Sequence, residues 1–207
     1  MNGQMLVEQV RDSKGIELDR LGSDKALLAA TSADLSSGTV LGTVALTLDG
    51  LRTTFEEWAD GTGVGGDAFG EAASATGEEY DRVVAELDTV PSGDPPPAVG
   101  TVRSFDRAIE RVGAGLLGHG LVFDGTLLQA VSFFVNEADA ARADLVRDLR
   151  SSANSRVDEG ATVLDSLCRD ETDWERAEAA AGEVVETAYR EYVETLGELG
   201  IDPKPVC

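Results

Sequence analysis

The stretch FGEAASATGEEYDRV, residues 69–83, decides the fold. Phe69, Ala73, Thr76, Tyr80 and Val83 recur at alternating steps of four and three, the spacing that aligns side chains on one face of an α-helix. Glu78 and Glu79 stand beside that stripe. A helix of this shape, with acids next to its inward face, is one that can hold a metal in a helical bundle.

Outward from this stretch the helical period persists, and no segment reads convincingly as strand. Upstream, Leu41, Val44, Leu48, Leu51, Phe55 and Trp58 form the inward stripe of a helix capped by Ser36 or Ser37 and reaching about Asp60. Gly38 and Gly42 lie one turn apart in it. Glycine costs about 1 kcal/mol relative to alanine inside a helix, so the pair marks either a close backbone contact or a weak first turn. Residues 4–20 and 24–31 read as one helix broken near Gly22–Ser23, with Ser23 capping the second part. The turn GTGVGGD, 61–67, precedes a helix over about Asp67–Asp88.

Downstream, PSGDPPPAVG at 91–100 reads as a linker, because proline and glycine forbid a continuing helix. It separates a helical half 1–90 from a helical half 101–207. A helix from about Thr101 is expected to turn Val102, Phe105, Ile109 and Val112 inward. The driest run, 113–135, belongs in the middle of the bundle, broken near Gly118–Gly120. Asn136 or Asp139 starts the next helix, with Leu145, Leu149, Val157, Leu164 and Leu167 inward. Thr172 and Glu175 have the spacing of a capping box. The last helix buries Trp174, Ala177, Ala181, Val185, Ala188, Tyr192 and Leu199, and Pro203 and Pro205 end it. The expected fold is a single all-α domain, an antiparallel bundle of about six to seven helices.

The 207 residues carry 39 acidic against 17 basic side chains, a formal charge of −22, and only Lys14, Lys25 and Lys204 are lysines. A chain so charged repels itself at low ionic strength, and salt at 1 M cuts the Debye length to roughly 3 Å and removes the penalty. A salt-rich cytoplasm, as in halophilic archaea, suits this surface. Direct nucleic-acid binding is disfavoured, since phosphates call for basic side chains. Cys168 and Cys207 form no CxxC pair, and a reducing cytosol is expected. The N-terminal sequence has no secretory pattern. The driest run carries four further glycines after Gly113, with His119, Asp124 and Gln129, so no membrane span is expected.

Two GxGxxG patterns, Gly61–Gly66 and Gly113–Gly118, lack the preceding strand that a dinucleotide site needs. The first reads as a turn, the second as small residues at a crowded helix contact. His119 is the only histidine and reads as a hydrogen-bonded imidazole at a helix break, with Asp124 the nearest carboxylate in sequence. The acidic pairs Glu56–Glu57, Glu78–Glu79, Glu137–Asp139 and Asp158–Glu159 read as solvated faces. A di-metal bundle needs a Glu-x-x-His turn on each of two helices, and one histidine preceded at three residues by Leu116 supplies none.

With these residues in view, the N-terminal half resembles the rubrerythrin branch of the ferritin-like families. The carriers are FEEWAD at 55–60, the glycine-rich turn and the 69–83 helix, a match over about residues 40–88; the chain through GIDPKPVC, 200–207, loosely resembles haloarchaeal rubrerythrin-like proteins. Phe69 and Ala73 stand where that family's metal helix has phenylalanine and alanine. The resemblance then puts Thr76 at its glutamate, Glu79 at its histidine, and Leu48, with Asp49 beside it, at the glutamate of the preceding helix. No rubredoxin module with two CxxC pairs is present. The resemblance implies a ferritin-like bundle. The ligand changes imply one whose di-iron centre is lost, with Glu79 an unpaired carboxylate in an interior filled by apolar and neutral groups. No catalytic, cofactor or metal residue is assigned. The expected role is contact with a protein, as a homodimer or with another partner. The competing expectation, from the resemblance, is an iron-dependent peroxide-reducing enzyme, or a carboxylate cage for another divalent metal near Glu79 and Asp49.

Overall fold

The computed structural model describes residues 1–60 and 64–203. Among the described residues there is no strand, and nine helices follow one another: α1 (Gly3–Ser13), α2 (Gly15–Leu21), α3 (Asp24–Ala30), α4 (Ser37–Ala59), α5 (Val64–Val84), α6 (Pro97–Arg103), α7 (Ala108–Asn136), α8 (Ala140–Leu167) and α9 (Glu171–Glu198). The all-α bundle is as expected, but the count exceeds six to seven. The two extra helices come from the N-terminal stretch read as one broken helix, which breaks at Lys14 and at Gly22–Ser23 divide into α1, α2 and α3. α6, the counterpart of the helix expected from about Thr101, starts inside the supposed linker: Pro97 occupies its first turn, where a missing N–H leaves nothing unpaired.

The α4 stripe is buried as expected, from Leu41 at 0% exposure to Trp58 at 4%, and the Ser36 hydroxyl caps the helix by accepting from Thr39 N at 3.2 Å. Its close backbone contact is elsewhere than expected. A Cβ on Gly38 would meet nothing, whereas one on Gly50 would lie 2.8 Å from Pro95 and 2.9 Å from Val99. The 91–96 segment therefore lies against α4. In α5, Phe69, Ala73, Thr76 and Val83 are buried and Tyr80 is half-buried under the Arg52 guanidinium. Phe55, Trp58 and Phe69 cluster where α4 meets α5, with ring centroids 4.9 to 6.1 Å apart.

Between Thr101 and Val112 the chain is not one helix: α6 stops at Arg103 and α7 begins at Ala108, leaving Phe105 and Ile109 only partly buried. The predicted break at Gly118–Gly120 does not occur. Instead α7 widens to a π-helix over Val112–Gly118 and continues without interruption. Close packing explains this. A Cβ on Gly113 would lie 2.4 Å from the Ala177 carbonyl oxygen, and one on Gly118 would lie 2.7 Å from the Ala181 Cα. The Gly113–Gly118 pattern is thus a crowded contact with α9, as read from sequence. The Gly61–Gly66 pattern falls partly outside the described residues.

Ala138, with φ 58°, turns α7 into α8, and Asp139 caps α8 by accepting from Arg142 N at 3.1 Å. Asp170, not Thr172, caps α9, accepting from Asp173 N at 3.0 Å, while the Asp173 carboxylate takes the Arg169 N–H. Gly200, at φ +71°, ends α9, with Ile201 N bonded to Leu196 O, ahead of Pro203. The end of the buried stripe is consequently Leu196, at 0% exposure, and not Leu199, at 37%.

α7 is the central helix, packed along α8 on one side and against α9 through its π turn. The α4–α5 hairpin joins this set mainly through α5 against α8, and α1 to α3 cover α8, α9 and α7. Core clusters combine residues from before and after the 91–100 segment: Phe55 and Leu116 belong to one, and Leu48, Phe123 and Leu149 to a second. By length and composition α7 is apolar enough to cross a membrane, though 56% of its most apolar window is buried within the protein.

Candidate functional site

The register of α4 and α5 brings Leu48 and Thr76 inward, both at 0% exposure, and Glu79 with them at 4%. Glu79 is not unpaired. Arg156, from the middle of α8 and itself 5% exposed, donates from Nη1 to both carboxylate oxygens, at 2.8 Å to Oε1 and 2.9 Å to Oε2. The interior is therefore not wholly apolar and neutral, as read from sequence, but holds a charge pair. Geometry this close is what offsets the large cost of taking two ions out of water. The Thr76 hydroxyl, three residues before Glu79, is buried with no hydrogen-bond partner among the described residues.

This donor set does not fit a di-iron centre. Such a centre draws carboxylates from all four helices and two histidines. Here one position is leucine, one is a hydroxyl, and the one carboxylate already lies against a fixed cation. Among the described residues no three His, Cys, Asp or Glu side chains converge. Asp49 is held at the surface by Arg52 Nη2 at 2.7 Å, with its side chain 45% exposed. Of the acidic pairs, only Glu79 is buried; Glu56, Glu57, Glu78, Glu137, Asp158 and Glu159 are exposed.

Arg156 escaped the sequence reading. Its signal was register: it lies three residues after Ala153 and one before Val157, on the inward stripe of α8.

A second polar locus surrounds His119. The imidazole is 3% exposed and sits inside the continuous α7 rather than at a break. Among the described residues nothing hydrogen-bonds it; its ring lies 5.7 Å from that of Phe123. Asp124 is not its partner, because Arg150 at 2.8 Å and Asn154 at 2.6 Å occupy that carboxylate. Burial, with Arg156 nearby, pushes the imidazole down to about 3, so it is neutral. His119 lines a cavity of about 90 Å³ together with Phe123, Thr43, Thr47, Glu191 and Tyr192. Burial, with Glu194 beside it, pushes the Glu191 carboxyl up to about 7.

Cys168 caps the end of α8 as a half-buried free thiol. Burial and the carboxylates of Asp173, Asp165 and Asp170 push it up to about 11, which leaves little thiolate for nucleophilic work. Cys207 lies outside the described residues.

Compared with known proteins, the chain matches no family model, and no curated protein or solved structure matches it.

Proposed function

We propose that this chain is a rubrerythrin-like member of the ferritin-like bundles whose di-iron centre has been replaced by the Glu79–Arg156 ion pair, and that it works without catalysis, through contact with a second copy or another protein. One observation carries the reading: at the register where the family motif sets a histidine ligand, a buried glutamate is held on both oxygens by a buried arginine. A guanidinium has no exchangeable coordination position, and its charge opposes a metal ion in the same place. The acidic, lysine-poor surface suits the salt-rich cytoplasm of a halophilic archaeon and offers no basic footprint for nucleic acid.

The test is anaerobic exposure of the purified protein to ferrous iron at high salt, removal of free metal, and addition of hydrogen peroxide. The reading predicts no iron-dependent peroxide consumption by the protein fraction. Repeated turnover that travels with the protein would overturn it in favour of a peroxide-reducing enzyme.

A further inference from the structure

We propose that the cavity beside His119 is a binding site for a small organic ammonium ion, of the size of trimethylammonium. This site is separate from the Glu79–Arg156 pair, and the proposal does not depend on the reading given to that pair.

The lining is rich in acceptors and has no cation. The Thr47 hydroxyl gives its hydrogen to Thr43 O, and the Thr43 hydroxyl gives its own to Thr39 O or Ala30 O, so both oxygens have lone pairs left. The Tyr192 hydroxyl donates to Pro203 O. The neutral His119 ring presents one nitrogen as an acceptor. Glu191, part-way along α9 at the cavity, has no hydrogen bond or ion pair among the described residues. No lysine or arginine lines the space. The charge that lines the space is thus that of Glu191, which above pH 7 offers a carboxylate to a cation.

The remaining wall is apolar, including Leu21, Ala26, Val122 and Phe123. Glu191 is the one carboxylate there, and among the described residues no three His, Cys, Asp or Glu side chains converge, so the space does not fit a metal ion. An ammonium carrying methyl groups uses both parts: its N–H points to Glu191 and its methyls meet the aliphatic and aromatic side chains of the lining. Size sets the limit. A cavity of about 150 Å³ takes benzene, with six heavy atoms, so about 90 Å³ suits an ion of three or four. His119, buried and lining the same space, reports directly on whether it is occupied.

His119 is the only histidine in the chain, so its ring carbon and proton NMR signals are unambiguous. The experiment titrates the full chain, at high potassium chloride and above pH 7, with trimethylammonium chloride, tert-butanol or sodium acetate. Trimethylammonium should shift the His119 signals saturably. Tert-butanol, of similar shape but neutral, and acetate, an anion, should not. Glu191→Gln, an isosteric change, should weaken trimethylammonium by about tenfold or more. Failure of trimethylammonium to saturate the signal would overturn the proposal. So would equal binding of tert-butanol, a comparison on wild-type protein that needs no variant to fold, or unchanged affinity in Glu191→Gln.

Discussion

Replacing Arg156 by methionine keeps most of the side-chain volume of α8 and removes the cation from Glu79. Glu79 is 4% exposed and both its oxygens depend on Arg156 Nη1. Left alone in that interior, the carboxylate has one inexpensive escape, which is to take up a proton. A glutamic acid in water titrates near pH 4.3, so holding one protonated at pH 7 costs about 3.7 kcal/mol. That agrees with the roughly 3–5 kcal/mol lost when one partner of a buried pair is removed. The same reasoning gives only about 1 kcal/mol at pH 5, where protonation is nearly free. The assay is urea unfolding of wild type and Arg156→Met at both pH values and at high salt, which screens surface pairs far more than buried ones. The destabilisation should shrink steeply between pH 7 and pH 5. In Glu79→Leu/Arg156→Met, which removes both charges, most of the pH 7 loss should disappear. A loss independent of pH would reduce Arg156 to a packing residue. A loss below about 1 kcal/mol at pH 7 would mean that the pair is not buried as described.

Three further outcomes follow from the same structure. Gly118→Ala sets a methyl 2.7 Å from the backbone of Ala181 and should lower stability by about 1–3 kcal/mol in thermal or urea unfolding, whereas Gly38→Ala, with nothing near its Cβ, should raise it by up to about 1 kcal/mol. His119 stays neutral in the fold down to about pH 3, while in the unfolded chain it takes up a proton near 6.5. The unfolded state therefore binds more protons in that window and stability falls as pH drops through it. Relative to His119→Gln, wild type should lose about 1.5 kcal/mol between pH 6.5 and 5 by chemical unfolding. Ala138→Gly relieves a left-handed residue at the α7–α8 turn and should stabilise by about 1 kcal/mol, seen as a raised melting temperature.

Much of the bundle was legible because its stripes are long. Six residues of α4 and four of the five in the 69–83 helix are buried where period alone puts them. Local signals misled where two competed. Thr172 and Glu175 make a plausible box, yet Asp170 precedes them and satisfies the Asp173 N–H first. The proline-rich 91–100 run reads as linker because proline forbids an interior position, but the first turn of a helix tolerates it and α6 starts there. Glycines were legible only in part: the dry run around 113 and 118 marked a crowded contact, but the helix that makes it, α9, lies more than fifty residues away in sequence, and the pair 38 and 42 left close contact and a weak first turn undistinguished. The ion pair is the same kind of omission. Glu79 was placed beside the inward stripe, and at a ligand position only by the resemblance, and in so acidic a chain an arginine on α8 reads as one of many surface charges until its register is followed against α5. The cavity at His119 depends on residues from five separate segments, and nothing in sequence joins them.

On the proposed reading, the Glu79–Arg156 pair occupies the place where a rubrerythrin motif would set a metal. The most direct measurement is elemental analysis of the full chain purified at high salt after growth with iron and manganese, beside the Arg156→Met variant. No stoichiometric iron, manganese or other divalent metal is expected in the wild-type protein. One or two equivalents of such a metal per chain, retained through purification and lost on substitution of Glu79, would contradict it.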